Sequence, residues 1–389
     1  MTVTVTRTTV PEHGIVRYAS IGGLDLEAGG YLPEVTLAYE TWGTLNADAS
    51  NAVLIEHALT GSTHVTRGDT DEPGWWEQLA GPGAPVDTDR FFVVSINIVG
   101  GCYGSTGPSS PAPDGAPWGS RFPLVTLRDS TVAEARLADQ LGIRSWFAVL
   151  GGSMGGARAL EWAISFPERV QRCGVISIGA ASTAEQIAFA QAQTLAIRQD
   201  ANFNGGDYYG GPFPEDGLAL ARRIAHITYR SAAELEGRFG REPQAPESPL
   251  HGGVLAARGR YQVESYLDHQ GNKLVRRFDA NSYIAITEAL MSHDICRGRG
   301  PLPETLARSG ARFFVAAVDS DRLYFPAQSR ELAAALPGEV DVHVIEAPIG
   351  HDGFLTEIGQ LGHQHRAHLS AENFPSQAVK CAFMQIASA

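Results

Sequence analysis

Residues 146–155 read WFAVLGGSMG, an apolar run that leads directly into a glycine-rich turn around a serine. Residues 151–155 match the pattern G-x-S-x-G, and a run of helix-forming residues, 157–166, follows. When a strand enters such a turn and a helix leaves it, the serine hydroxyl is presented on a sharp, strained bend. The helix N-terminus then directs its partial positive charge toward a reacting carbonyl. This arrangement predicts that Ser153 is a nucleophile; in the alternative, Ser153 only caps the helix.

Further apolar runs resemble the one before this turn. They lie at 52–55, 91–96, 174–178, 313–318 and 342–345. Short runs rich in Val, Ile and Phe are typical of strands buried on both faces of a parallel sheet. Segments with helical spacing separate them, at 129–141, 157–166 and 327–336. Alternating strands and helices predict an α/β fold with a doubly wound, mostly parallel sheet.

The alternation stops between residues 182 and 301. This stretch has helical patterns at 183–199, 218–229 and 281–291 but no convincing strand. A helical insertion that sits over the sheet like a lid explains this with the fewest assumptions. The sequence therefore predicts a core domain, residues 1–181 and 302–389, interrupted by a helical lid domain, residues 182–301.

A serine nucleophile needs a base and a carboxylate that orients the base. In the α/β-hydrolase fold the chain order is Ser, then Asp or Glu, then His. Asp319 and Asp321 follow the predicted strand 313–318, and His351 lies beyond the next predicted strand. Both positions can reach the sheet edge that carries Ser153. Burial would decide between Asp319 and Asp321, and the residue pattern alone leaves both open.

Composition excludes several classes of protein. The chain has 389 residues, is 43% hydrophobic and carries a formal net charge of −13, which argues against nucleic acid and anionic membranes as partners. Glycine and proline interrupt the uncharged run 91–113, so it is not a membrane helix. The cysteines 102, 173, 296 and 381 are far apart, as is typical of a cytoplasmic protein.

A group of histidines near the C-terminus, His363, His365 and His368, could suggest a metal site. Their spacing does not put three ligands on one helix face, and no acidic or thiolate set accompanies them. We therefore expect no metal here, and a solvated tail instead.

Several motifs occur together in order along the chain. They are HALTG at 57–61, NIVGGC at 97–102, GGSMGG at 151–156, ARRIAH at 221–226, VESYL at 263–267 and RFDA at 277–280. This set resembles the homoserine O-acetyltransferase family, which belongs to the α/β-hydrolase superfamily. The resemblance implies an α/β-hydrolase fold with a helical lid insertion. In that family the chain usually ends in an amphipathic helix, whereas here the residues after Ile358 have weak helical periodicity.

The resemblance also implies a catalytic role for individual residues. Ser153 matches the nucleophile and His351 the base. Asp321 matches the orienting aspartate, because residues 320–324, SDRLY, fit the setting of that aspartate in the family. The backbone N–H groups of Leu59 and Met154 would form the oxyanion hole.

Substrate-binding positions follow from the same resemblance. Arg222 and Asp352 match residues that hold the carboxylate and amino groups of an amino acid, and Tyr229 matches a further substrate contact. A guanidinium can bind a carboxylate through two parallel hydrogen bonds. Arg223 competes with Arg222, because one helical step decides which side chain faces the cleft. A surface ion pair is the alternative role for either arginine.

The implied activity is transfer of the acetyl group of acetyl-CoA to L-homoserine through an acetyl-serine. The product, O-acetyl-L-homoserine, leads to methionine. Acetyl-CoA is a co-substrate, and no other cofactor is expected. We also expect a cytoplasmic homodimer that forms through the lid helices. The triad leaves alternatives open: succinyl-CoA as donor, serine as acceptor, ester hydrolysis, or a binding protein without catalysis.

Overall fold

The computed structural model describes residues 13–247, 249–250, 254–255 and 258–370. Twelve strands are formed in this part of the chain. They are β1 (Arg17–Ser20), β2 (Leu24–Asp25), β3 (Tyr31–Leu32), β4 (Thr36–Trp42), β5 (Ala52–Glu56), β6 (Ala80–Gly81), β7 (Val86–Asp87), β8 (Phe92–Ile96), β9 (Ala148–Gly152), β10 (Arg172–Ile176), β11 (Arg312–Val318) and β12 (Val342–Ile345).

The main sheet has eight strands in the order β1-β4-β8-β5-β9-β10-β11-β12. From β8 onward in this order, each strand pairs in parallel with the next one, including β5 between β8 and β9. Strand β4, by contrast, runs antiparallel to both β1 and β8. Every residue of β5, β9 and β10 is buried, and apart from Glu56 at the end of β5 and Arg172 at the start of β10 these strands contain only apolar residues and glycine. The prediction of a mostly parallel α/β sheet is therefore confirmed.

Helices cover both faces of the main sheet. They are α1 (Leu127–Gln140), α2 (Met154–Ser165), α3 (Ala184–Arg198), α4 (Glu215–Tyr229), α5 (Ala232–Phe239), α6 (Gln262–Val275), α7 (Ala280–Met291), α8 (Leu302–Leu306), α9 (Pro326–Ala335), α10 (Gly353–Thr356) and α11 (Ile358–Ser370). One apolar core joins α1, α2 and α9 to the sheet, and a second core lies beneath α10, α11 and the loop before β6. The fold is thus doubly wound.

Helices α3 to α8 lie between β10 and β11 in the chain. Within residues 182–301 the described part forms no strand of the main sheet, as the sequence predicts. We call this stretch the helical insertion. Its division from the core as a separate lid domain at 182 and 301 stays a prediction.

The C-terminal region differs from the expectation of a solvated tail. Helix α11 forms despite its weak periodicity and buries His365 and His368 against Phe314, with ring centroids 4.9 and 5.8 Å apart. The expectation was wrong because imidazole rings, when neutral, pack as flat and largely apolar groups. Burial indeed lowers the pKa of His365 to about 4. Cys381 lies outside the described residues.

In the part of the chain that the structure describes, no helix has both the length and the apolar character that crossing a membrane requires.

Candidate active site

The serine turn joins the end of β9 to the start of α2. Ser153 has φ 57° and ψ −128°, a conformation that residues with a Cβ rarely adopt, and its N–H donates to the carbonyl of Ile176 at 2.9 Å. Gly155 permits the turn, because a Cβ there would collide with the carbonyl oxygen of Glu56. The strained bend expected of a nucleophile is therefore present, and it lies at the carboxyl edge of the sheet.

Asp321 is the buried member of the two candidate carboxylates. One of its oxygens accepts from the backbone N–H groups of Leu323 and Tyr324, at 2.8 and 2.9 Å. The other lies 2.6 Å from Nδ1 of His351. Asp319 is exposed and instead accepts from the N–H of Ala347 at 2.9 Å. The structure thus places Asp321, and not Asp319, in the orienting position.

His351 is buried in a ring of aromatic side chains. Its ring centroid lies 5.9 Å from that of Tyr229 and 5.4 Å from those of Tyr324 and Phe354. Nδ1 donates to Asp321, so Nε2 carries the lone pair, and Nε2 has no hydrogen-bond partner among the described residues. Burial opposes protonation, but the Asp321 carboxylate outweighs it and holds the pKa of His351 above its ordinary value.

Two backbone N–H groups are available for an oxyanion. Leu59 lies in the turn after β5, and Met154 is the first residue of α2. Neither N–H donates to any acceptor among the described residues. Such unsatisfied donors at a helix N-terminus and a neighbouring loop are what stabilises a tetrahedral intermediate.

His57 holds the start of the loop that carries Leu59, which we call the oxyanion loop (residues 57–63). Its Nε2 accepts from the N–H of Ile98 at 3.1 Å, so its Nδ1 carries the proton, which points at the carbonyl of Ala58 at 2.8 Å. Burial, aided by the nearby Arg158, lowers the pKa of His57 to about 3. His57 is therefore a neutral positioning residue and not a base.

A buried ion cluster holds Glu56, the residue just before the oxyanion loop. Arg158 on α2 is completely buried and pairs with Glu134 on α1 and, at 2.7 Å, with Glu56 at the end of β5. Trp162 donates to the second oxygen of Glu134 at 2.7 Å. One guanidinium cannot neutralise two carboxylates, and burial raises the pKa of Glu56 well above its ordinary value. The cluster ties both helices to the residue that precedes the oxyanion loop.

Arg222 and Arg223, adjacent on α4, point in different directions. The Arg222 guanidinium lies 5.5 Å from the centroid of the Tyr229 ring and donates to Oγ1 of Thr60 at 3.5 Å. Arg223 forms a half-exposed ion pair with Asp268 at 2.7 Å. The structure therefore places Arg222 at the active site and gives Arg223 the surface role.

Asp352 follows His351 directly and lies 3.3 Å from Arg230. Arg222, by contrast, has no carboxylate within ion-pair distance among the described residues. Burial raises the pKa of Tyr229, whose hydroxyl therefore stays neutral between the two charges. The available cation Arg222 thus lies at the ring of Tyr229, and Asp352, which is paired with Arg230, supplies negative charge near the same hydroxyl.

A cavity of about 40 Å³ opens at Ser153. None of its lining residues carries a charged side chain; they are Leu59, Ser153, Gln186, Phe189, Ala190, Gln193, Thr228, Tyr229, Thr287, Leu290, Met291, Leu323 and Tyr324. Because one water needs roughly 10–15 Å³, a group of only a few heavy atoms fits. Sequence reasoning missed the lining side chains from α3 and α7, since nothing in a helical pattern shows which of its faces meets Ser153.

Comparison with known proteins agrees with this geometry. A family model described as the alpha/beta hydrolase fold matches residues 51–358. The homoserine O-acetyltransferase of Thermobifida fusca (strain YX) is 58% identical over 343 residues, which cover 87% of this chain and 89% of that protein.

Two solved structures have the same fold as this chain. The crystal structure of homoserine O-acetyltransferase from Bacillus anthracis superposes with a TM-score of 0.84 at 26% identity, covering 92% of this chain and 98% of that one. Esterase E22 superposes with a TM-score of 0.82 at 26% identity, covering 92% and 100%. On its sequence identity and its fold, this chain belongs to the homoserine O-acetyltransferase family of α/β hydrolases.

Proposed function

We propose that the protein transfers the acetyl group of acetyl-CoA to the hydroxyl of L-homoserine, giving O-acetyl-L-homoserine and CoA. The observation that carries this proposal is the available Arg222 guanidinium, with Asp352, beside a buried Ser-His-Asp set. Both substrates are small molecules. Homology to the T. fusca enzyme supports the same reaction.

The first half-reaction forms an acetyl-serine. Nε2 of His351 takes the proton of Ser153 while the serine oxygen attacks the thioester carbonyl carbon. The N–H groups of Leu59 and Met154 stabilise the oxyanion, each by about 3 kcal/mol. The carbon–sulfur bond then breaks, and His351 returns its proton to the departing thiolate of CoA.

The second half-reaction passes the acetyl group to the acceptor. Arg222 binds the carboxylate of homoserine and Asp352 its ammonium group, so that the hydroxyl reaches the acetyl-serine. His351 takes the hydroxyl proton, the homoserine oxygen attacks, and the bond to Ser153 breaks. The proton returns to the Ser153 oxygen, which regenerates the enzyme.

The size of the cavity favours an acetyl over a succinyl donor. A succinyl group adds a methylene and a carboxylate to the acetyl group, and a space of about 40 Å³ holds only a few heavy atoms. Measuring CoA release with acetyl-CoA and succinyl-CoA, each with homoserine and serine, tests the proposal. We expect rapid, acceptor-dependent release only with acetyl-CoA and homoserine.

Arg222→Met is expected to lower kcat/KM for homoserine about 100-fold, because it removes the charged partner of the substrate carboxylate. Formation of acetyl-serine from acetyl-CoA alone, followed by mass spectrometry, should persist. Arg223→Met is the matched control and should stay near the wild-type rate, since a surface ion pair contributes little. If Arg223→Met lowered kcat/KM for homoserine and Arg222→Met did not, the assignment of Arg222 to the substrate carboxylate would be contradicted.

Ester hydrolysis is a second candidate, favoured by the superposition on esterase E22. In that reaction water would replace homoserine in the second half-reaction. A rate of CoA release that does not change when homoserine is added would support hydrolysis over transfer.

We further propose a cytoplasmic homodimer that forms through the helical insertion. Apolar side chains are exposed on α3 and α4, among them Ile187, Leu195, Leu220 and Ile227. Burying them against a second copy would be favourable. A monomer in light scattering at micromolar concentration would overturn the homodimer.

A further inference from the structure

A second, much larger cavity borders the oxyanion loop. It has a volume of about 940 Å³ and extends from Thr60–Thr63 to Lys273 and Arg277 in the helical insertion. Leu59 lines the small cavity at Ser153, and the next residue, Thr60, lines the large one. The two cavities therefore adjoin the same loop, but no residue of the Ser-His-Asp set lines the large one.

Positive charge is concentrated around this loop although the chain as a whole is acidic. Most arginines of the helical insertion are ion-paired: Arg198, Arg223, Arg230, Arg238, Arg258, Arg260, Arg297 and Arg299. Arg277 instead donates to the carbonyl of Thr60 at 3.0 Å and to the hydroxyl of Tyr103 at 2.5 Å. Lys273 is exposed, and neither of these two cations has a carboxylate partner within the described ranges.

Acidic residues in the lining do not cancel this charge. Glu40 is buried and accepts from Oγ1 of Thr63 at 2.5 Å and from Nδ1 of His64 at 2.8 Å. Nε2 of His64 faces the carbonyl of Glu72 at 2.8 Å, so both ring nitrogens face acceptors, an arrangement that favours the protonated ring. Thr63 and His64 thus engage Glu40, and the exposed side chain of Glu72 is the remaining carboxylate of the lining against Lys273 and Arg277.

We infer that this cavity binds the phosphate-bearing nucleotide end of the acyl donor, with Lys273 and Arg277 as phosphate contacts. The inference rests on the proposed function, which requires a CoA thioester at Ser153. The space of about 40 Å³ at Ser153 accepts an acyl group but no nucleotide, whereas the large cavity is big enough for one. Tyr18 and Trp75 also line it and offer aromatic rings to a base.

Lys273→Gln tests the phosphate contact when the activity of the variant is compared with two acetyl donors, acetyl-CoA and S-acetyl-pantetheine. S-acetyl-pantetheine has the same thioester but no nucleotide, so the comparison isolates the phosphate contribution. We expect the ratio of kcat/KM for acetyl-CoA to that for S-acetyl-pantetheine to fall about tenfold, as for loss of one hydrogen bond between charged groups. Arg238→Gln, which removes an exposed cation paired with Glu234, is the control and should leave the ratio unchanged. An unchanged ratio in Lys273→Gln overturns the inference.

A chemical footprint provides a readout that is independent of turnover. Lys273 and Lys380 are the two lysines of the chain, so an amine-reactive reagent has two side-chain targets, which mass spectrometry distinguishes by their separate peptides. CoA and adenosine 3′,5′-bisphosphate are expected to protect Lys273, whereas pantetheine and inorganic phosphate at equal concentration are not. Equal labelling of Lys273 with and without CoA overturns the inference. If the wild type did not transfer the acetyl group to homoserine, the proposed function would be refuted. The footprint is a separate test, because protection of Lys273 by CoA does not require turnover.

Discussion

Replacing Ser153 with alanine is expected to lower kcat for acetyl transfer to homoserine by about 10⁴-fold or more. The hydroxyl is the atom that carries the acetyl group between the two substrates, and no other side chain can take its place on the strained turn. The oxyanion hole formed by Leu59 and Met154 stays intact, so only weak residual catalysis is expected. The rate of acceptor-dependent CoA release measures the effect.

Ser177→Ala is the matched control for this variant. Ser177 also has a positive φ, 50°, is buried beyond the end of β10, and its hydroxyl has no hydrogen-bond partner in the described structure. The control should therefore keep its activity. Incubation of the wild type with acetyl-CoA alone should add one acetyl group to the peptide that contains Ser153. Acceptor-dependent turnover in Ser153→Ala would rule out the covalent mechanism.

Asp321→Asn is expected to reduce kcat by about 10⁴-fold with little change in folding. The amide oxygen can still accept from the N–H groups of Leu323 and Tyr324, which preserves the turn. The amide nitrogen, however, cannot accept the proton of Nδ1. His351 then loses the partner that sets its tautomer and stabilises the imidazolium formed in each half-reaction.

The pH profile gives an independent test of the same pair. His351 acts as a base only when neutral, so activity falls as the pH drops through its pKa. The Asp321 carboxylate holds that pKa above 6.5, and burial alone would lower it. The acid limb of kcat/KM should therefore lie above pH 6.5 in the wild type and at lower pH in Asp321→Asn. Asp319→Asn is the control, and an identical acid limb in all three proteins would contradict the assignment.

Much of the fold could be predicted because buried parallel strands have a simple sequence pattern. The predicted strand 342–345 coincides with β12, and 313–318 differs from β11 by one residue. The pattern did not reveal β1, a partly buried strand at the edge of the sheet, or its antiparallel neighbour β4, which is mostly buried but whose apolar sequence is interrupted by Glu40 and Thr41. Helix α11 was also missed, since its buried face includes histidines, which a hydrophobic pattern counts as polar.

The sequence by itself determined the α/β architecture, the strained turn at Ser153 and the position of His351 after a late strand. These features depend on short segments, in which glycine spacing and apolar runs act locally. The family resemblance favoured Asp321 over Asp319 and Arg222 over Arg223, but the residue pattern alone left both pairs open. The tertiary structure gave the physical distinction, because burial and the direction of a side chain depend on packing between distant elements. The same packing concentrates unpaired positive charge around the oxyanion loop, although the chain carries a net charge of −13.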